Sequence, residues 1–370
     1  MFCHLRRVQV TGYQWRKLKH STKALIRQVR LAQIQLVWYN VRANRHCSGN
    51  GGQVLHTSIA PVESRDEENT VVRVVMVSGG MASFEAARRV IERYGKTRVH
   101  LWFADTLMED EDLYRFLDDV EPVLGVPIKR MSEGRNPWQV FEDERFIGNS
   151  RVDPCSKKLK RQFLRRQLKA RFSDQPVTVY LGLDLMEAHR VAAAKRYWSE
   201  DGYAVDFPLC WEPLLFSEDC APLVRQHGIE PPRLYALGFP HNNCGGACVK
   251  AGQKQWALLW HTFPDRYRWH EEQEQLLRRI LGKNVAILRD RRGGTTRPLT
   301  LRCFRLRLER DARQKQKHKD EPTMYDRLPD DGWPCSCFSP ATIQEPDEKL
   351  LPPETTDVEN SIPLTDVGKS

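Results

Sequence analysis

The stretch VVRVVMVSGGMAS, residues 71–83, decides the fold. A run of β-branched and apolar residues over 71–77 stops abruptly at Ser78, Gly79 and Gly80. From Ser83 the chain continues as FEAARRVIERYG, which has helical spacing and a stop at Gly95. Strand, glycine turn and helix in that order bring free backbone N–H groups to a helix N-terminus, an anion site before any side chain is counted. The glycines let the backbone approach a phosphate closely, and Ser78 and Ser83 add hydroxyls. An ordinary βα turn with no ligand has the same local pattern, so the neighbouring sequence must decide.

Working outward, alternating patterns continue. Strands are predicted over 71–77, 98–103, 127–130, 177–182 and 204–207, and helices over 82–94, 110–124, 137–144, 156–172 and 186–198. Strands alternating with helices call for a Rossmann-like α/β fold: a parallel sheet of about five strands with helices on both faces. Ligands in such sheets sit at the carboxyl ends of strands. That rule puts Ser78 to Gly80, Asp105 and Leu183-Asp184 on one rim. After Pro208 the pattern changes to a helical, cysteine-containing region, with helices predicted over 242–260 and 264–281. A basic glycine turn follows over 289–297, then a basic helix or strand over 298–310. Four parts result: a basic extension (1–70), the α/β domain (71–240), the cysteine region (241–338) and an acidic, Pro-rich tail read as disordered (339–370).

The net charge of +10 is local. Residues 1–62 hold ten Lys/Arg and no acid, so the remaining 48 basic residues are balanced by all 48 acidic ones. The high pI therefore says nothing about what the core binds. A basic amphipathic segment within the extension reads as a nucleic-acid or membrane-surface arm, or as a loosely ordered extension. No apolar run approaches the roughly 18 residues of a membrane span, and no secretory signal is evident, so the expectation is cytoplasmic. Ten cysteines in such a chain point to metal, redox or plain burial rather than to a disulfide framework.

Several residues carry chemistry. Asp105 ends a buried-type strand, where a carboxylate suits ribose hydroxyls or magnesium, and equally suits a helix N-cap. CSKKLKRQFLRRQLKAR, residues 155–171, has eight Lys/Arg and no acid. Its cations Lys157, Lys158 and Lys160 crowd a helix start, a conflict that a bound phosphate or sulfate would relieve. Asp184, Glu187, His189 and Arg190 gather at the end of the fourth strand, each also a plausible cap or surface residue. Cys244 with Cys248, and Cys335 with Cys337, form two close pairs. Together they supply a four-thiolate set for zinc or an iron–sulfur cluster, with Cys155 as a spare; free thiols are the plainer reading.

Taken together, SGGMAS after a strand, FADTLMEDEDLYRFL, CSKKLKR, YLGLDLMEAHR, FPLCWEPL and HGIEPPRLYALGFPHNNCGGAC resemble phosphoadenosine phosphosulfate reductase-like proteins. These belong to the adenine nucleotide alpha-hydrolase superfamily, with its PP-loop. The resemblance spans residues 71–338 and is greatest to the phage and bacterial branch carrying CGGACVKAGQ, RDRRGG and a terminal CxCF. It implies ATP or phosphoadenosine phosphosulfate bound with its phosphates or sulfate in loop 78–83 and Asp105 near the nucleotide. Lys157, Lys158, Asp184 and Arg190 would then stand at the anionic end, with an iron–sulfur cluster or zinc on the cysteines. Magnesium, a nucleic-acid or small-molecule acceptor and an electron donor follow as implied partners.

Two departures limit the reaction. The Glu-Cys-Gly-(Ile/Leu)-His motif of sulfonucleotide reductases is absent from the sequence, and Met81-Ala82 stands where pyrophosphatase members have Lys-Asp. The expectation is an enzyme acting at the α-phosphate or sulfonyl group, by adenylation or by reduction. The alternative is a nucleic-acid-binding or nucleic-acid-modifying protein of the same fold without reductase activity.

Overall fold

The computed structural model describes residues 70–315, together with Leu328 and Phe338. The extension before Thr70, the tail over 339–370, and Cys335 and Cys337 lie outside the described residues. In chain order the first elements are β1 (Val72–Val77), α1 (Met81–Tyr94), β2 (Val99–Asp105), α2 (Glu111–Leu124), β3 (Ile128–Ser132) and α3 (Pro137–Asp143). A π-helix (Ser156–Gln162) then leads into α4 (Phe163–Phe172), followed by β4 (Val177–Leu181), α5 (Ala188–Ser199) and β5 (Ala204–Asp206). The remainder comprises α6 (Cys220–Gln226), α7 (Arg233–Ala236), α8 (Gln253–Thr262), α9 (Pro264–Leu281), β6 (Leu288–Asp290), β7 (Arg297–Leu299) and α10 (Leu301–Lys315).

All six residues of β1 are buried, as expected of a central strand covered on both faces. The five strands β1–β5 form a parallel sheet in the order β3-β2-β1-β4-β5. Strand alternation divides the side chains between two layers. Val75, Val77, Leu101 and Phe103 pack with α1 and α2 on one face. On the other, Val74, Met76, Trp102 and Ala104 pack with Leu164 and Leu168 of α4 and Ala194 and Trp198 of α5.

The chain moves from β1 outward to β2 and β3, then crosses back to place β4 on the other side of β1. The crevice beyond the carboxyl ends of β1 and β4 is thus the topological switch point, where ligands of open α/β sheets lodge. Gly182 sits at this seam, and a methyl group on it would lie 3.0 Å from the Ala82 carbonyl oxygen. Its lack of a side chain lets the end of β4 run close against the start of α1.

The predicted helix over 242–260 is half wrong. Cys244, Gly245 and Gly246 take left-handed φ values of 54°, 56° and 83°, and helix α8 begins only at Gln253. Three such residues in a row cannot continue a right-handed helix. The segment is instead a loop with one 3₁₀ turn at Cys244–Gly246. The basic glycine turn is an antiparallel hairpin of β6 and β7, and the segment after it is helical. The cysteine region does not pack apart from the sheet domain's chain: Trp138, Phe141 and Leu159 share one core with Trp256, Tyr267 and Phe304.

Candidate functional site at the sheet switch point

Loop 78–83 is tightly internally bonded. The Ser83 hydroxyl donates to the Gly80 carbonyl at 2.7 Å, accepts the Ser78 N–H at 3.1 Å and lies 3.2 Å from the Ser78 hydroxyl. Gly79 has φ +77°, and a methyl group there would strike Leu113 of α2 at 2.6 Å. Gly80 is closed in by Tyr235, whose hydroxyl would lie 2.9 Å from a methyl group at that position. Gly79 is therefore favoured by backbone shape as well as by space, and Gly80, whose backbone is extended, by space alone.

A residue 163 positions away fastens the loop: the buried Asn242 Nδ2 donates to the Gly79 carbonyl at 2.9 Å. Asn242 Oδ1 is also buried and accepts no hydrogen bond from the described residues. Such an atom favours a ligand or water that can donate to it. Next to it, His241 Nδ1 accepts the Asn243 N–H at 3.4 Å. Burial first, then the charges of Lys160 and Arg190, push the His241 imidazole down to about 4. It is neutral at pH 7, and the charges that lower it come from two elements, the π-helix and α5.

Lys160 is the inward lysine of the basic stretch. Its ammonium pairs with Glu109 at 3.3 Å, with side-chain exposures of only 2% and 0%. Glu109 also accepts the Thr106 hydroxyl at 2.9 Å and the Cys244 N–H. Lys158 instead faces outward to Glu144 at 2.8 Å, and Lys157 is half-buried on the same π-helix. Helical spacing at 3.6 residues cannot tell which of these lysines turns inward, because the segment is wound with the wider π repeat.

The other predicted residues separate into site and support. Asp105 accepts the Leu107 N–H at 2.8 Å and the Tyr114 hydroxyl at 2.9 Å and 3.0 Å, so its carboxylate shapes the turn after β2. Burial and the Asp105 charge together push the Tyr114 phenol far up, keeping it a hydrogen-bond donor. The N-cap of α2 is Asp110, not Asp105.

Asp184 is buried and committed. One oxygen accepts the N–H groups of Met186 and Glu187 at 2.8 Å and 3.2 Å, and the other accepts the Ser217 N–H at 2.7 Å. A carboxylate with both oxygens so engaged caps a turn and latches loop 208–217, rather than shuttling protons. Arg190, also buried, bonds Glu187, whose carboxyl is pushed up mainly by burial. His189 is exposed.

Asp110 is fully buried yet accepts Arg233 at 2.8 Å and 3.0 Å and Arg266 at 2.9 Å. Burial alone would raise its carboxyl, but these bonds and the Asp112 N–H outweigh it and hold it below the usual range. Arg266 also reaches the Gly245 carbonyl at 2.7 Å. Segment 242–245 is thereby stitched to loop 78–83, to Glu109 and to Asp110.

Cys244 and Cys248 are free thiols, and a hydrogen bond between them together with burial raises the Cys244 thiol well above its ordinary value. Cys155 belongs to the same apolar cluster as Cys248. Among the described residues, no group of three or more metal-ligating side chains is assembled. Phe338, next in sequence to Cys337, packs beside Trp198, whose indole N–H donates to the Phe338 carbonyl at 3.0 Å. Trp198 lies two turns along α5 from Arg190, about 12 Å of helix, so that contact is remote from the rim.

His241, Asn242 and Glu109 are the site residues that sequence reasoning did not single out. All three stand inside stretches that carry the family resemblance, His241 and Asn242 in FPHNNCGGAC and Glu109 in FADTLMEDEDLYRFL, but nothing local marks their roles. No family model matches the chain, and no curated protein matches it in sequence, so the functional reading rests on the chemistry of this rim.

Proposed function

We propose that the chain is an adenine-nucleotide-binding enzyme of the PP-loop type that acts at the α-phosphate or sulfonyl group of its nucleotide. The observation that carries this is the buried amide of Asn242, which holds loop 78–83 at the switch point and keeps an unpartnered oxygen there, beside a His241 imidazole held down by burial and by the charges of Lys160 and Arg190. Free N–H groups at the start of α1 would receive phosphate or sulfate oxygens. Lys160 and Arg190 would offset the charge developing on them. The lysine absent from the loop, where Met81 and Ala82 stand, would thus be replaced in role by one from the π-helix.

Two balanced reactions fit the reading. In the first, an acceptor nucleophile bonds to the α-phosphorus of ATP and pyrophosphate leaves, with magnesium neutralising the departing oxygens. In the second, two electrons from a dithiol-class donor break the S–O bond of phosphoadenosine phosphosulfate, releasing sulfite and adenosine bisphosphate. The described part of the metal expectation is one thiol pair, Cys244 with Cys248, so a four-thiolate centre requires Cys335 and Cys337 to reach it. Iron, sulfide and zinc analysis after anaerobic purification measures that directly.

The deciding experiment incubates the protein with radiolabelled ATP or phosphoadenosine phosphosulfate plus a dithiol and candidate acceptors. Pyrophosphate release selects adenylation, and sulfite selects reduction. Absence of both products, together with no adenine-nucleotide binding by calorimetry, refutes the proposal and leaves the nucleic-acid-binding alternative.

A further inference from the structure

The β6–β7 hairpin and α10 carry an arginine surface that the nucleotide reading does not use. Helix α10 buries Leu301, Phe304 and Leu308 against the core, at spacings that keep them on one face. Arg302, Arg310 and Arg313 lie on the opposite, exposed face, with Arg297 exposed at the start of β7 just before them. Leu306, 42% exposed, sits among them.

Neighbouring arginines are neutralised within the fold. Arg292 and Arg307 share Asp290, each at 2.8 Å, and Arg305 bonds Glu271 and Glu309, each at 2.7 Å. Arg297, Arg302, Arg310 and Arg313 have no acid partner among the described residues. Three guanidiniums without an acid partner share one face of α10, with Arg297 preceding them at the start of β7, and a polyanion relieves the repulsion along that face. Arg302 to Arg313 spans about 16 Å of helix, against a phosphate rise of about 3.4 Å along one strand. The cations are all arginine, whose planar fork suits phosphate oxygens in pairs.

We propose that this surface binds the phosphodiester backbone of a nucleic acid, which would make a nucleic-acid strand the acceptor class of the enzyme. The hairpin is tied toward the rim: Gln253 Nε2, at the start of α8, donates to the Arg289 carbonyl at 2.8 Å. Gln253 directly follows the loop whose Asn242 holds Gly79. The binding surface stands on its own observations; only the strand's role as acceptor rests on the nucleotide reading.

The test uses the full chain and fluorescein-labelled oligonucleotides of about 20 nucleotides: single-stranded RNA, single-stranded DNA and duplex DNA. Anisotropy titrations are run over a range of salt. The surface variant is R297A/R302A/R310A/R313A, and the comparison variant, K23A/R27A/R30A, neutralises part of the basic N-terminal segment. Binding by the wild type, weakened at least tenfold in the surface variant, is expected. The log–log salt slope should fall by about 2–4, since each lost phosphate contact removes roughly 0.7–0.9.

All four side chains are exposed, so an unchanged melting temperature is expected and checks that the variant folds. Which oligonucleotide binds most tightly identifies the strand type. No binding by the wild type, or an undiminished affinity in the surface variant with loss confined to the N-terminal variant, overturns the inference. Calorimetry with ATP and with phosphoadenosine phosphosulfate on the same samples separates the two readings. Oligonucleotide binding without binding of either nucleotide removes the enzyme and keeps the surface, while nucleotide binding without oligonucleotide binding removes the surface alone.

Discussion

His241 shows how one side chain can report on a whole site. Its imidazole is held down to about 4 by burial and by the positive charges of Lys160 and Arg190. A bound phosphate or sulfate offsets those two charges and therefore raises the imidazole pKa. Between about 4 and the ordinary histidine value near 6.5, nucleotide binding should take up a proton. Calorimetry at pH 5.5 in two buffers of different ionisation enthalpy measures it. The observed binding enthalpy should depend on the buffer for the wild type and much less for His241→Asn. Equal enthalpies in both buffers for the wild type would show that no anion settles beside this ring.

At the scale of elements, the seam between α1 and β4 depends on Gly182. A Cβ there meets the Ala82 carbonyl oxygen at 3.0 Å and the Ser83 Cα at 3.1 Å, both backbone atoms that cannot rotate away. Gly182→Ala should push the start of α1 off the sheet and cost about 1–3 kcal/mol of stability. On the proposed function it should also weaken nucleotide binding, because the displaced residues belong to loop 78–83. Urea unfolding and calorimetry on one preparation test both effects. A variant with wild-type stability and affinity would mean the seam yields freely.

The sheet and the glycine turn of loop 78–83 were legible because strand alternation, glycine punctuation and helical spacing are local signals, and residues 71–95 carry all three. The site's other half was not. Lys160 was obscured by π winding, which changes which face a lysine occupies. Asn242 was hidden by distance, since nothing local marks a residue that bonds 163 positions away. Asp184 was legible as a polar residue at a strand end, but the sequence could not show that Ser217 takes its second oxygen. The loop at Cys244 was misread as helix because the helical pattern of α8 was extended back over the residues before Gln253, and left-handed backbone at a cysteine has no compositional signature.

At the scale of the whole molecule, Glu274 joins three elements. From α9 its carboxylate accepts the Ile287 N–H at 3.0 Å, just before β6, and the Leu301 N–H at 2.7 Å, at the start of α10. Burial raises its carboxyl to about 7, with those two bonds opposing the shift. An unfolded glutamate titrates near 4.3, so between about 4.3 and 7 the native state holds more protons. The stabilisation from this group is therefore complete below about 4.3 and is lost as pH rises to about 7, on the order of 3 kcal/mol. His270, buried and held down to about 3, acts in the opposite sense, losing stability as pH falls below about 6.5. Comparing wild type with Glu274→Gln cancels that contribution. The stability advantage of the wild type should shrink from pH 4.5 to pH 7.5 in denaturant titrations, and a constant difference would contradict the assignment.

The Asn242 tether also imposes a thermodynamic reciprocity. Segment 241–248 carries both the amide that grips Gly79 and the thiols of Cys244 and Cys248, so loop 78–83 is tied to the segment that holds the thiol pair. If occupancy of the loop alters the equilibrium by which Cys244 is exchanged or ligated, modification of Cys244 must alter anion affinity by the same factor. The redox state of a thiol and the saturation of a phosphate site then become two readings of a single coupling constant.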